Sequence, residues 1–184
     1  MVKHLLRAAL VLPLLCSAAL AAGAANLWLN VPFVKQQKDG CGAAAIAMVM
    51  QYWQQHEGLP ANGHSAYEHI QRKLFSRRVH GIYASAMERY FRQNGYRVFA
   101  FAGRRADLER EIAKGRPLIA ALKPDSGGEL HYVVVVGVDA PDGLILVNDP
   151  AQRKLLKEDQ AVFEHEWKAT GNWTLLAVPG THSK

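Results

Sequence analysis

Cysteine is almost absent from this sequence: Cys16 and Cys41 are the only two in 184 residues. A scaffold stapled by disulfides is therefore excluded, and the core has to come from packed apolar side chains. Metal ligands are equally scarce. His64 and His69 stand five apart and no other Cys/His grouping has ligand spacing, so no metal or other cofactor is expected. Internal repeats, low-complexity tracts and long linkers are missing too, which argues for one domain rather than an array. Neither sign of charge dominates. The formal charge is +6 with scattered basic residues, and the densest cluster, RKLFSRR from Arg72 to Arg78, reads as a solvated helix face and loop. Nucleic acid is not expected as a partner.

The amino terminus carries the longest uncharged run. Lys3 and Arg7 precede AALVLPLLCSAALAAGAA, which gives way to polar sequence with A-x-A-like choices for cleavage between Ala21 and Ala25. Residues 1–25 read as a secretory signal peptide. The rival reading is an uncleaved anchor, since the run approaches the ~20 residues that span a bilayer. Its alanine content, Pro13 and the small residues at its end favour cleavage. A lipid anchor on Cys16 is discounted because Leu15 stands where a small residue is wanted. Removal of this segment lowers the formal charge by 2, to +4. Residues 26–184 remain, about 160 residues, enough for one domain with a real core. Export to the periplasm or the extracellular space is the expected localisation.

An exported chain without Cys16 keeps one thiol, Cys41, which cannot form an internal disulfide. A lone thiol in an oxidising compartment is buried, paired with another chain or used in chemistry. Cys41 and Gly42 open AAAIAMVMQYW, a helix-forming segment that is apolar nearly all round, as a helix buried inside a domain is. Cys41 thus falls in the first helical turn, where free backbone N–H groups and the positive end of the helix dipole stabilise a thiolate. Gly40 and Gly42 leave access open, and the polar KDG run ahead of them reads as a surface loop. A thiol placed only for packing would lie deeper.

Further along, HSAYEHIQRKLF predicts a helix with Ser65 and Glu68 at capping-box spacing. A second helix is predicted from Ile82 to Asn94, stopped by Gly95. YRVFAF reads as a strand, DLEREIAKG as a helix stopped by Gly115, and PLIAAL as a strand. HYVVVVGV and LILVNDP are two apolar strands joined by a Pro-Asp-Gly turn, hence a hairpin whose strands are covered on both faces. A helix over Glu158 to Ala169 and the strand WTLLAV complete an α+β domain: helices first, then a mostly antiparallel sheet onto which the buried helix packs.

Antiparallel pairing brings His131, at the start of the first hairpin strand, and Asp149, at the end of the second, to one end of the hairpin. A thiolate nucleophile needs a base, usually His, and that His needs an acceptor to fix its tautomer. Of the eight histidines, only His131 has an acidic partner predictable by strand pairing. Cys41, His131 and Asp149 are therefore candidate nucleophile, base and orienting group, against bland alternatives of a strand-edge histidine and an Asn-Asp-Pro turn.

VPFVKQQKDGCGAAAIAMVMQYW resembles the amino-terminal motif of the papain-like, bacteriocin-processing cysteine peptidases, cysteine-peptidase family 39, in which a Gln precedes a Cys-Gly pair opening the central helix. HYVVVVGVDAPDGLILVNDP is similar to that family's His strand and Asp-Pro segment, and GIYASAMERYFRQNGY to its connecting helix. The resemblance spans Val31 to about Val178. It implies a papain-like fold in which Cys41 is the nucleophile, His131 the general base and acid, Asp149 the orienting residue and Gln36 the oxyanion-hole donor. Two departures stand out. Asp39 is separated from Cys41 by Gly40, where transporter-attached members place Asp directly before Cys. Gln37 also competes with Gln36, although VPFVKQ aligns with the freestanding relatives and selects Gln36.

The expected reaction is peptide-bond hydrolysis by acyl transfer, after small residues such as Gly-Gly by analogy. The expected substrate is a peptide or protein, with a secretion-system component as a candidate partner and a monomer as the working state. Three other classes share the residues. A cell-wall amidase of another papain-like family usually shows Ser-Gly after the nucleophile, where this chain has Gly42-Ala43. A transglutaminase-like acyl transferase has the same Cys-His-Asp order and differs by amine incorporation. A noncatalytic peptide-binding module on the same fold needs none of these residues, and their presence argues against it.

Overall fold

The alternating valines of HYVVVVGV decide the layering of the molecule. In the computed structural model, which describes residues 27–59, 63–125 and 128–180, the strand turns Val134 and Val136 to one core and Val133 and Val135 to another. That is the two-residue period of a strand covered on both faces. The elements in order are β1 (Leu27–Trp28), α1 (Cys41–His56), α2 (Gly63–Leu74), α3 (Ala84–Gln93), β2 (Tyr96–Ala102), α4 (Arg105–Ala113), β3 (Leu118–Leu122), β4 (His131–Asp139), β5 (Leu144–Asn148), β6 (Leu156–Asp159), α5 (Gln160–Lys168) and β7 (Trp173–Pro179). The sheet runs β2-β7-β3-β4-β5-β6, with β1 beside β4. Every pairing between these strands is antiparallel. The signal-peptide reading of residues 1–25 lies outside the described residues.

One core holds α1, α2 and α3 against the sheet. From Gly42 to Val49 every residue of α1 is buried, which explains why the sequence there is alanine-rich and apolar all round: small side chains let the helix lie close to β4. Tyr67 and Ile70 of α2 and Met87 and Phe91 of α3 close this layer. The second core packs Leu108 and Ile112 of α4 and Phe163 and Trp167 of α5 on the opposite face. The N-terminal helices thus cover only one face, and α4 and α5 cover the other.

Element ends differ from the sequence reading in instructive places. α2 already runs at Gly63, so Ser65 is a helical position rather than a cap. Glu68 instead lies 3.4 Å from His64 and 3.9 Å from Arg72, each four residues away along the helix. α3 begins at Ala84 because Ile82 is drawn into the core ahead of it. Gly95 and Gly115 do stop their helices, at φ of 84° and 72°. Leu156–Asp159 pairs with β5 as a strand, and Asp159 then caps α5 by accepting N–H bonds from Ala161 (2.8 Å) and Val162 (3.2 Å).

Adjacent residues of α5 give a direct test of this layering. Phe163 is fully buried, whereas its neighbour Val162 is 55% exposed. Phe163→Ala is expected to lower stability by about 3–5 kcal/mol, whereas Val162→Ala stays within about 0.5 kcal/mol. Urea unfolding curves of the two variants check this.

Candidate active site

Gly40 is the last residue before α1 and Cys41 the first within it, so the backbone N–H groups of the first turn surround the thiol. The side chain is half-buried. His131 is the first residue of β4, and Asp149 follows β5 immediately. The register Val134 to Asn148 brings the two strand ends together. His131 Nε2 lies 2.8 Å from Asp149 Oδ1. Cys41 is close enough to the same ring for its side chain to help raise the imidazole. Cys41, His131 and Asp149 thus lie together at one end of the hairpin.

The Asp149 carboxylate has further donors, which fix its plane. Ala151 N–H donates to Oδ1 at 2.8 Å and the Gln152 amide to Oδ2 at 2.7 Å. Burial favours a neutral Asp149, yet the hydrogen bond and charge of His131, with the Ala151 and Gln152 donors, hold its carboxyl below the usual range. Burial likewise pushes the His131 ring down. Hydrogen bonds to Asp149 and Cys41, together with their charges, outweigh it and bring His131 up to about 10. Glu158, raised to about 7 by burial and then by the charges of Glu166 and Asp149, carries reduced negative charge near these residues at neutral pH.

The loop ahead of Cys41 is strapped to the Asp149 segment. Buried Asn148 donates to the Val31 carbonyl at 3.1 Å, and Gln36 N–H donates to the Pro150 carbonyl at 3.0 Å. Gln36 Oε1 is buried with no donor among the described residues, and Gln36 lines a hollow with Phe33, Gln51 and His64 that shares no residue with the one that Cys41 opens into. Gln37, the competing glutamine, is exposed. Sequence reasoning missed Asn148, Gln152 and the Pro150 carbonyl; only the first was signalled, as a polar residue ending an apolar strand.

Cys41 opens into a hollow of about 330 Å³ walled by Ile82, Tyr83 and Leu130. Val79, His80, Ala84, Glu129, Leu130 and Tyr132 also line an adjoining hollow of about 530 Å³ that extends past Lys123 to Thr170 and Trp173. Together they make a groove with a mainly apolar floor leading away from the thiol. Among the described residues no group of three or more His, Cys, Asp or Glu side chains could hold a metal ion, and no helix is long and apolar enough to cross a membrane.

This mixed architecture, with its helix-borne cysteine, is similar to C39 peptidase domains, which have a papain-like fold. A Bacillus anthracis protein described as a C39-like peptidase matches with a TM-score of 0.63 at 17% identity, over 84% of this chain and 98% of that one. The peptidase domain of Streptococcus ComA, a bi-functional ABC transporter involved in a quorum-sensing pathway, matches with a TM-score of 0.59 at 20% identity, over 80% and 97%. The peptidase domain of Streptococcus mutans ComA gives 0.52 at 17% identity, over 80% and 98%. No curated protein matches. Residues 28–175 match the model of the Peptidase_C39 like family, and the chain belongs to that family.

The raised His131 has a measurable consequence. Its folded value of about 10 lies above the ordinary 6.5, so the folded chain binds the extra proton more tightly. The resulting stability is fully present below about 6.5 and is lost as pH rises through about 10. Thermal midpoints of the wild type should fall across that window. Asp149→Asn, which removes the facing charge, should flatten the decline.

Proposed function

We propose that the chain is a cysteine peptidase in which Cys41 is the nucleophile, His131 the general base and acid, Asp149 the orienting group and Gln36 the oxyanion donor. The observation that supports it most is the His131–Asp149 hydrogen bond beside Cys41 at a helix N-terminus. A protonated ring facing a thiol there favours the thiolate-imidazolium pair, the reactive form of such a site.

The Cys41 thiolate attacks the scissile carbonyl carbon, and the carbonyl π electrons move to oxygen. The Cys41 backbone N–H and the Gln36 Nε2–H stabilise that oxyanion. His131 gives its proton to the departing amine as the C–N bond breaks, leaving a thioester. His131 then removes a proton from water as the water adds to the thioester, and collapse expels the Cys41 thiolate and releases the acid. Asp149 stays ionised throughout, holding the ring and offsetting its charge.

A peptide fits the groove that begins at Cys41 and continues past Leu130 and Tyr132. By family resemblance we assign cleavage after small residues such as Gly-Gly. With residues 1–25 acting as a signal, the enzyme works as a monomer in the periplasm or outside the cell, alongside a secretion-system component.

Peptide libraries incubated with wild type and with Cys41→Ala test the reaction: cut products should appear only with the wild type, and equal products with both would sink the proposal. Gln36→Ala should lower kcat about 10²–10³-fold, roughly 2.7–4 kcal/mol. Gln37→Ala should cost less than about tenfold, and the reverse ranking would move the oxyanion role to Gln37.

A further inference from the structure

An oxyanion donor is useful only when its amide is already in place as charge develops, because reorganising it during the reaction costs what the hydrogen bond returns. Gln36 lies in an irregular segment between β1 and α1, so its placement depends on what grips its backbone. Two peptide planes flank a residue. The one before Gln36 is held through its own N–H, which donates to the Pro150 carbonyl at 3.0 Å. The one after it carries the Gln37 N–H, which donates to the Tyr67 hydroxyl oxygen at 2.9 Å.

Tyr67 is suited to that task. It lies on α2, is 2% exposed and packs in the same core as α1. Its phenol reaches out of that core to the loop, 30 residues away in sequence. Gly40 lacks the side chain that would block it: a Cβ there would collide with the Tyr67 hydroxyl oxygen. One helical turn on, Gln71 Nε2 donates to the Asp39 carbonyl at 3.5 Å. Gly40 N–H closes the turn between them by donating to the Gln37 carbonyl at 3.1 Å. Asp39, inside this turn, has a φ of 57°, a left-handed conformation that persists only when surrounding contacts fix it.

We infer that Tyr67 is a positioning residue for the oxyanion donor: its hydroxyl fixes the peptide plane that follows Gln36 and so pre-aims the Gln36 amide toward the oxygen of the carbonyl whose carbon Cys41 attacks. This rests on the peptidase mechanism proposed above. Tyr67 acts through Gln36, and it therefore shapes the transition state rather than ground-state binding.

Tyr67→Phe keeps the buried ring and deletes only the hydroxyl that accepts from Gln37 N–H. With a cleavable peptide, it should lower kcat about five- to tenfold with KM changed less than about twofold. The rate at which iodoacetamide alkylates Cys41 should not change, since the Cys41–His131 contact does not pass through the loop. A double-mutant cycle supplies the decisive readout. In a Gln36→Ala background, Tyr67→Phe should cost less than about twofold, because the group it positions is gone. Loss by the same factor in both backgrounds would make Tyr67 a general structural residue. Undiminished kcat beside an active wild type would remove the role altogether. A wild type that cleaves no peptide would instead remove the reaction, and with it any group positioned for it.

Discussion

The hydrogen bond between His131 and Asp149 is the contact on which the rest of the site depends. It joins the ends of two neighbouring strands, so the sheet itself sets its 2.8 Å geometry. It also decides the charge of the ring. Burial alone would leave a neutral imidazole, and only the facing Asp149 and Cys41 reverse that balance. A charge retained in a half-buried cleft needs such compensation, because desolvation penalises the ionised form of each partner separately.

The surrounding fold can be understood as what brings three separate chain segments to that bond. α1 delivers Cys41 because its small, apolar residues let it lie against β4, the strand that begins with His131. The β5 end supplies Asp149, and Asn148 and Pro150 on either side of it tie down the approach to α1. Base and loop are therefore held by one continuous set of backbone and side-chain bonds, and the nucleophile by the packing of α1. This matters for an acyl-transfer site, where displacements near 1 Å are costly.

Much of this organisation was legible in the sequence. Apolar content all round α1, the valine run of β4 and the Pro-Asp-Gly turn each carry their own local signal, and they suffice for the hairpin and the buried helix. β1 and β6 are two and four residues long, too short for any periodicity to register. β6 was further hidden because Leu156–Asp159 leads directly into α5. Within the candidate site, the Cys, His and Asp residue types and the hairpin register could be read directly. Tyr67, Gln152 and the Pro150 carbonyl could not, because each acts through a tertiary contact that no spacing announces. The strained turn at Asp39 is similarly silent in sequence, since Lys-Asp-Gly is ordinary loop composition.

Nitrogen NMR of the chain labelled in its histidine rings, with His131 assigned by difference against His131→Ala, reads the charge of that ring. The His131 ring should remain doubly protonated through neutral pH and lose its proton near 10. Its titration should move down in Asp149→Asn and in Cys41→Ala, because each variant removes one of the charges that raise it. A wild-type ring titrating near 6.5, or one indifferent to both substitutions, would mean that Asp149 and Cys41 do not hold the charge on His131.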